Sequence, residues 1–154
     1  MNESQKKFAK MMINEAYKAK TLTGLPASIV AAQGILETGW GRSIPIDMHT
    51  KKFSYNLFGI KGSGPNGSVE IKTHEYIHGE KVLITARFRA YNDYAECFVD
   101  YGNLILGAKR YKKAVINKGD PKKYIFEIWK AGYATDPKYP DKILKIARLC
   151  EFIR

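Results

Sequence analysis

Cysteine is scarce in this chain. Only Cys97 and Cys150 occur in 154 residues, too few for a disulfide-stapled scaffold. Both fall in apolar helical patterns, where an unpaired cysteine packs as a small hydrophobe, so two buried free thiols are expected. They leave the redox compartment unread. Long apolar runs are also missing: nothing approaches the ~18 residues a membrane-crossing helix needs. The first residues, Met1-Asn2-Glu3-Ser4, lack the charged-then-apolar order of a secretory signal. A removed signal, another export route and an origin in a larger protein all remain open. Acidic residues are few, 15 Asp+Glu against 26 Lys+Arg, for a net charge of +11. Such an excess suits a polyanion such as nucleic acid, an anionic membrane face or an anionic cell-wall polymer. The basic residues are spread from Lys6 to Arg154, and a solvated basic face fits the pattern equally well.

What is present is an ordinary globular composition, 45% hydrophobic and 27% charged, which excludes a disordered or collagenous chain. The length fits one domain. Phe8, Met11, Met12 and Ala16 recur at helical spacing up to Gly24. Pro26 opens a second helix through Ile29, Val30, Ala32, Gln33 and Leu36, stopped by Gly39 and Gly41. Residues 42–68 carry Pro45, Gly59, Gly62, Gly64, Pro65 and Gly67 and read as loops. Val69, Ile71, Thr73 and Glu75 then alternate on one strand face, and Val82, Ile84, Ala86 and Phe88 on another. With a turn at His78-Gly79-Glu80 they predict a hairpin over 69–89. Helical spacing returns at Cys97, Phe98, Tyr101 and Ile105, briefly at 111–116, after Asp120-Pro121, and from Pro140 to Phe152. The fold class is therefore α+β: a mainly helical lobe, about 4–50 and 92–154, beside a loop and hairpin lobe, about 51–91. A ligand cleft is expected between them.

Several motifs carry nothing. Gly62, Gly64 and Gly67 spell G-x-G-x-x-G, but they precede a strand where a dinucleotide site must follow one and open a helix. His49, His74 and His78 lack helical ligand spacing and a cysteine partner, so no metal site is expected. No nucleic-acid motif is present, which leaves that partner suggested by charge and tyrosines alone.

Glu37 does not read as structural. It follows the apolar run 29–36, at the helix end where the macrodipole disfavours a negative charge. Trp40 nearby would add desolvation, and both effects raise a carboxyl pKa, as a glycosidase general acid requires. An exposed helix-end glutamate is the plainer alternative. Glu75 continues an apolar strand face, either past the core edge or into the cleft. Ten tyrosines offer flat faces with a hydroxyl, suited to sugar rings and equally to bases.

Five segments in order, Ala32-Gln33-Gly34-Ile35-Leu36-Glu37-Thr38-Gly39-Trp40-Gly41, Asn56-Leu57-Phe58-Gly59-Ile60-Lys61, Thr73-x-Glu75-Tyr76, Phe88-Arg89-Ala90-Tyr91 and Gly132-Tyr133-Ala134-Thr135-Asp136-Pro137, resemble glycoside hydrolase family 73. These are bacterial peptidoglycan endo-β-N-acetylglucosaminidases of the autolysin, flagellar muralytic and phage lysin type. The resemblance covers about residues 8–153. It implies a lysozyme-like fold with a glycan groove, Glu37 as general acid, Glu75 as second carboxylate and Tyr133 beside the cleaved bond. Asn56, Phe58 and Tyr91 lie in motifs that border the groove and become candidate substrate binders. Cys97 departs from the serine frequent there, with an effect expected on packing alone. The implied activity is hydrolysis of the β-1,4 bond after N-acetylglucosamine, with no metal or cofactor, by a monomer acting outside the cell or in the wall. A muramidase or lytic transglycosylase on the same glycan is the nearest alternative, and a non-catalytic glycan-binding module the alternative of another class.

Overall fold

The computed structural model describes residues 1–154. Helix α1 (Glu3–Thr23) begins with a capping box: Asn2 Oδ1 accepts from the Gln5 amide, and Gln5 Oε1 accepts from that of Asn2. It ends at Gly24, whose left-handed φ of 73° lets its N–H cap Lys20. Its inner stripe is Ala9, Met12, Ala16 and Ala19. Helix α2 (Ala27–Glu37) follows the predicted start at Pro26 and is buried from Ala27 to Ile35. A helix apolar all round belongs at the centre of a fold. Here α1 and α6 (Tyr139–Leu149) pack along it. Gly34 permits the close approach, since a Cβ there would stand 2.3 Å from Met12 Cε.

Helix α3 (Tyr94–Gly107), capped by Asp93, lies against α1. A one-turn 3-10 segment leads to α4 (Lys112–Ile116) and then to α5 (Pro121–Lys130), where the Asp120 carboxylate caps Lys122 and Lys123. One core of 27 buried residues runs through these helices. No helix is long and apolar enough to cross a membrane. The cysteines are both free, as expected, but only Cys97 is buried; Cys150 is half-exposed beside the final turn of α6. Burial pushes the Cys97 thiol up to about 12, and its sulfur accepts from the Leu57 amide, a packing role.

Strands β1 (Ser68–Ile77) and β2 (Glu80–Arg89) form one antiparallel hairpin. Its two-residue turn, His78-Gly79, has positive φ at both positions, the conformation that matches strand twist. The alternation read from the sequence survives in the register: Val69 pairs with Phe88, Ile71 with Ala86, Thr73 with Ile84 and Glu75 with Val82. Val69 and Ala86 at the base are buried, and burial falls off toward the turn. Residues 42–67 are irregular yet well tied. Ile46 bridges Phe53, Lys61 bridges Phe88, and the buried Asp47 carboxylate accepts from the backbone of His49, Thr50 and Glu70. Asp47 thus fastens this loop to the base of β1.

Candidate active site

The end of α2 is built to present its last residue. Gly39, Trp40 and Gly41 all take positive φ, of 55°, 62° and 84°. Trp40 N–H returns to Ile35 O, and the Thr38 hydroxyl donates to Gly34 O while accepting from the Gly41 amide. These bonds satisfy the orphan carbonyls and turn the chain away sharply. Glu37 is left exposed, lining a pocket of about 130 Å³ with Thr38, Ser43, Pro45, Asn56, Gly59, Ile71 and Phe88. The pocket therefore lies between α2, the loop and the hairpin, where the sequence placed a cleft.

Glu37 has surface open to this groove, yet no donor or cation of the chain reaches its carboxylate. The pocket walls remove part of its water, and this partial desolvation raises its pKa. Trp40, expected to supply that effect, lines a separate pocket with Phe8, Met11, Phe53 and Tyr94. Gly59 supplies the room instead: a Cβ there would stand 2.9 Å from Glu37 Oε1.

Tyr133 follows α5, turned in by Gly132 at φ 96°. Its ring is flanked by Tyr139 at 5.9 Å, Tyr111 at 6.3 Å and Tyr101 at 6.4 Å. Burial, then the charges of Tyr139 and Glu37, drive its pKa well up, so its hydroxyl is neutral. That hydroxyl has no partner in the chain, and no side-chain polar atom is both buried and unpaired, so it keeps some surface open to water.

Glu75 is elsewhere. It does not line the Glu37 pocket, and it lies four residues beyond Ile71 on the same strand face, about 13 Å along the strand. Its carboxylate pairs with Lys61 Nζ at 2.5 Å. The segment Asn56–Lys61 thus meets both carboxylates, with Gly59 against Glu37 and Lys61 on Glu75.

Two of the candidate binders are buried. Phe58 is 5% exposed, packed on Phe98 and Tyr101 at 5.4 and 4.4 Å. Tyr91 is fully buried, and its hydroxyl donates to Asp100, which also holds Arg89. Neither offers a face to a sugar. Asn56 borders the pocket, but its carboxamide is spent: Nδ2 donates to Ile60 O and Arg89 O, and Oδ1 accepts from the Phe58 and Ile60 amides. It shapes the loop that carries Gly59. No group of three His, Cys, Asp or Glu side chains is arranged to hold a metal.

A profile described as mannosyl-glycoprotein endo-beta-N-acetylglucosaminidase matches residues 13–151. The chain belongs to the glucosaminidase family. It is similar to the peptidoglycan hydrolase FlgJ of Pseudomonas aeruginosa, 41% identical over 150 residues, which are 96% of this chain and 37% of that protein. It is 37% identical to the exo-glucosaminidase LytG of Bacillus subtilis over 123 residues, 77% of this chain and 42% of that one. The chain therefore spans less than half the length of these relatives. A crystal structure of a peptidoglycan hydrolase mutant from Sphingomonas sp. A1 superposes with a TM-score of 0.77 at 36% identity, covering 96% of this chain and 98% of that one. The α+β glucosaminidase fold, helical body with a hairpin, is thus the fold of this chain.

Proposed function

We propose that this glucosaminidase domain hydrolyses the β-1,4 bond after N-acetylglucosamine in bacterial peptidoglycan, with Glu37 as general acid. One observation carries the reading: a carboxyl group lining an open groove, its pKa raised by partial desolvation and without any donor or cation. A protonated carboxylic acid there delivers a proton to the leaving oxygen, which is what glycoside cleavage asks of it. A module that only binds has no use for such a group. The relatives named as peptidoglycan hydrolases and as a glucosaminidase support the polymer and the sugar.

Tyr133 is placed in this reading beside the reacting bond, as a neutral hydroxyl able to donate or accept. Glu75 is the second carboxylate, working from the hairpin. It either activates water or supports attack by the substrate's own acetamide, and carboxyl groups about 6.5–9.5 Å apart would mark the first. The Lys61 pair fixes the direction of its carboxylate. A second reading draws on its distance from the Glu37 pocket: a lytic transglycosylase, which uses one glutamate as both acid and base. The net charge of +11 supports a further proposal, that anionic wall polymers hold the enzyme at its substrate.

The test is digestion of purified peptidoglycan by the wild type and by Glu37→Gln, followed by borohydride reduction and mass spectrometry. Reduced N-acetylglucosamine ends that vanish in the variant are expected. Reduced muramic ends or 1,6-anhydro ends would overturn the bond assigned, and full activity in the variant would overturn the acid.

A further inference from the structure

Residues 42–45 form a wall between two cavities. Ser43 and Pro45 line the Glu37 pocket, while Arg42 and Ile44 line a second cavity of about 380 Å³. A single backbone segment thus separates the two.

The second cavity has aromatic walls. Phe8 comes from α1, Trp40 from the turn after α2, Phe53 from the loop and Tyr94 from the start of α3. Phe53 and Tyr94 meet edge to face at 6.4 Å, and Tyr55 joins them at 4.8 and 5.0 Å. Trp40 has φ 62° and Tyr55 φ 55°, a left-handed backbone that bulky residues seldom adopt. Strain of this kind is concentrated at sites that bind or react. Lys7 and Arg42, both exposed, also line the cavity. Neither enters an ion pair, and no acidic residue is among the lining side chains. Arg42 is held through Nε, which donates to Gly39 O at 3.2 Å, so its terminal nitrogens keep their protons for another acceptor.

Rings beside unpaired cations suit a chain that carries small apolar groups and free carboxylates. The glycan assigned to the Glu37 pocket carries such a branch on its muramic acid units, a short peptide with alanine methyls and carboxylates. We propose that the cavity bounded by α1, residues 40–44 and the start of α3 is a subsite for the peptide branch of peptidoglycan, with Lys7 and Arg42 on its carboxylates and the rings against its methyl groups. The proposal rests on the glycan lying in the Glu37 pocket. The branch passes over the wall at residues 42–45, so one substrate molecule occupies both cavities. Linked in this way, the second contact becomes intramolecular, and strands that keep their peptide are favoured over bare ones.

Two measurements test the subsite. The first follows the tryptophan indole N–H signals by NMR as the synthetic tetrapeptide of the branch is added. Trp40 is expected to shift and saturate, while Trp129, on α5 and outside the cavity, stays in place. The double variant Lys7→Gln/Arg42→Gln should weaken the titration about tenfold or more, the worth of a hydrogen bond between charged groups. An unmoved Trp40 signal overturns the proposal. A response to glycerol phosphate, a piece of an anionic wall polymer, with none to the peptide also overturns it. The second measurement compares kcat/KM on peptide-bearing strands and on strands stripped of peptide by an amidase. The wild type should prefer the former, and the double variant should lose about tenfold of that preference. A preference absent from the wild type, or unmoved in the variant, overturns the subsite. Arg42 also braces the turn after Glu37. Should the double variant not fold, Lys7→Gln, on α1, decides alone by the same two readings. The peptide titration needs no catalysis and is expected to survive in Glu37→Gln, so failure of the acid role and failure of this subsite are distinguishable.

Discussion

Gly59 lies directly against Glu37. A Cβ built on Gly59 would stand 2.9 Å from Glu37 Oε1, and the backbone there has φ 65°. The backbone favours glycine for the chain, and the contact means that any side chain here would displace the Glu37 carboxyl. Gly59→Ala is therefore expected to lose about 1–2 kcal/mol of stability from the left-handed backbone alone. The added methyl also pushes the carboxyl out of place, and small displacements of a catalytic group are costly. A fall in glycan hydrolysis of about a hundredfold is expected, beyond what the stability loss explains. Denaturant unfolding and turnover on peptidoglycan, measured together, separate the two effects.

Glu37 should cost the fold something at neutral pH. Its folded-state pKa is raised by desolvation, above the ordinary 4.5 of the unfolded chain. The folded state therefore binds more protons between those two values, and stability falls as pH rises through the folded pKa. Below 4.5 the penalty is absent. Glu37→Gln has no charge to desolvate. It is expected to match the wild type at pH 4 and to exceed it in unfolding midpoint at pH 7, while losing activity. Equal stability differences at both pH values would contradict a desolvated carboxyl.

The sequence carried the elements well where local signals and packing agree. The helix stop at Gly24, the cap at Asp120-Pro121 and the alternating face from Val69 to Glu75 all reappear because each rests on neighbours along the chain. The position of Glu37 in the groove was legible for the same reason, since a carboxylate at the end of an apolar run conflicts with its surroundings. Phe58 and Tyr91 were not. Their motifs border the groove, but a motif does not tell which way a ring points, and both rings complete the core. Trp40 likewise lines a different pocket from Glu37. The Gln33–Tyr139 hydrogen bond joins residues 106 apart, and no spacing rule reaches that far.

Asp47 is the fastening between the loop and the hairpin. Its carboxylate accepts from the His49, Thr50 and Glu70 amides and from the Thr50 hydroxyl. These donors hold its pKa far below the ordinary 3.8. Depressed in the fold, the group contributes stability above 3.8 that is lost only as pH falls through its folded value. Asp47→Ala is expected to lower thermal stability clearly at pH 7 and progressively less as the pH is taken below 3. It should also raise KM more than it lowers kcat, because Ile71 on the fastened strand lines the Glu37 pocket.

The basic surface makes a prediction about salt. If attraction between the +11 chain and anionic wall polymers holds the enzyme in place, it must be screened. The Debye length shrinks from about 10 Å at 0.1 M to about 3 Å at 1 M ionic strength. Co-sedimentation with purified walls should fall steeply over that range. Cleavage of a short, uncharged oligosaccharide should change little. Wall binding that ignores salt would assign retention to groove contacts instead.

Lys61 and Glu75 separate the two chemical readings of the groove. Their side chains are 58% and 38% exposed, and pairs that open to water are worth only about 0–1 kcal/mol. The pair therefore orients Glu75 and does little for stability, so Lys61→Met should unfold at nearly the wild-type midpoint. For a hydrolase with a working second carboxylate, Glu75→Gln is expected to lower turnover by about 10²-fold or more with the product ends unchanged. Lys61→Met should lower it less, since the carboxylate remains but is unguided, and Lys61→Arg should restore most of it. A transglycosylase using Glu37 alone would keep most of its activity in all three variants and leave 1,6-anhydro ends. The product ends and the Glu75→Gln rate together decide which chemistry the groove performs.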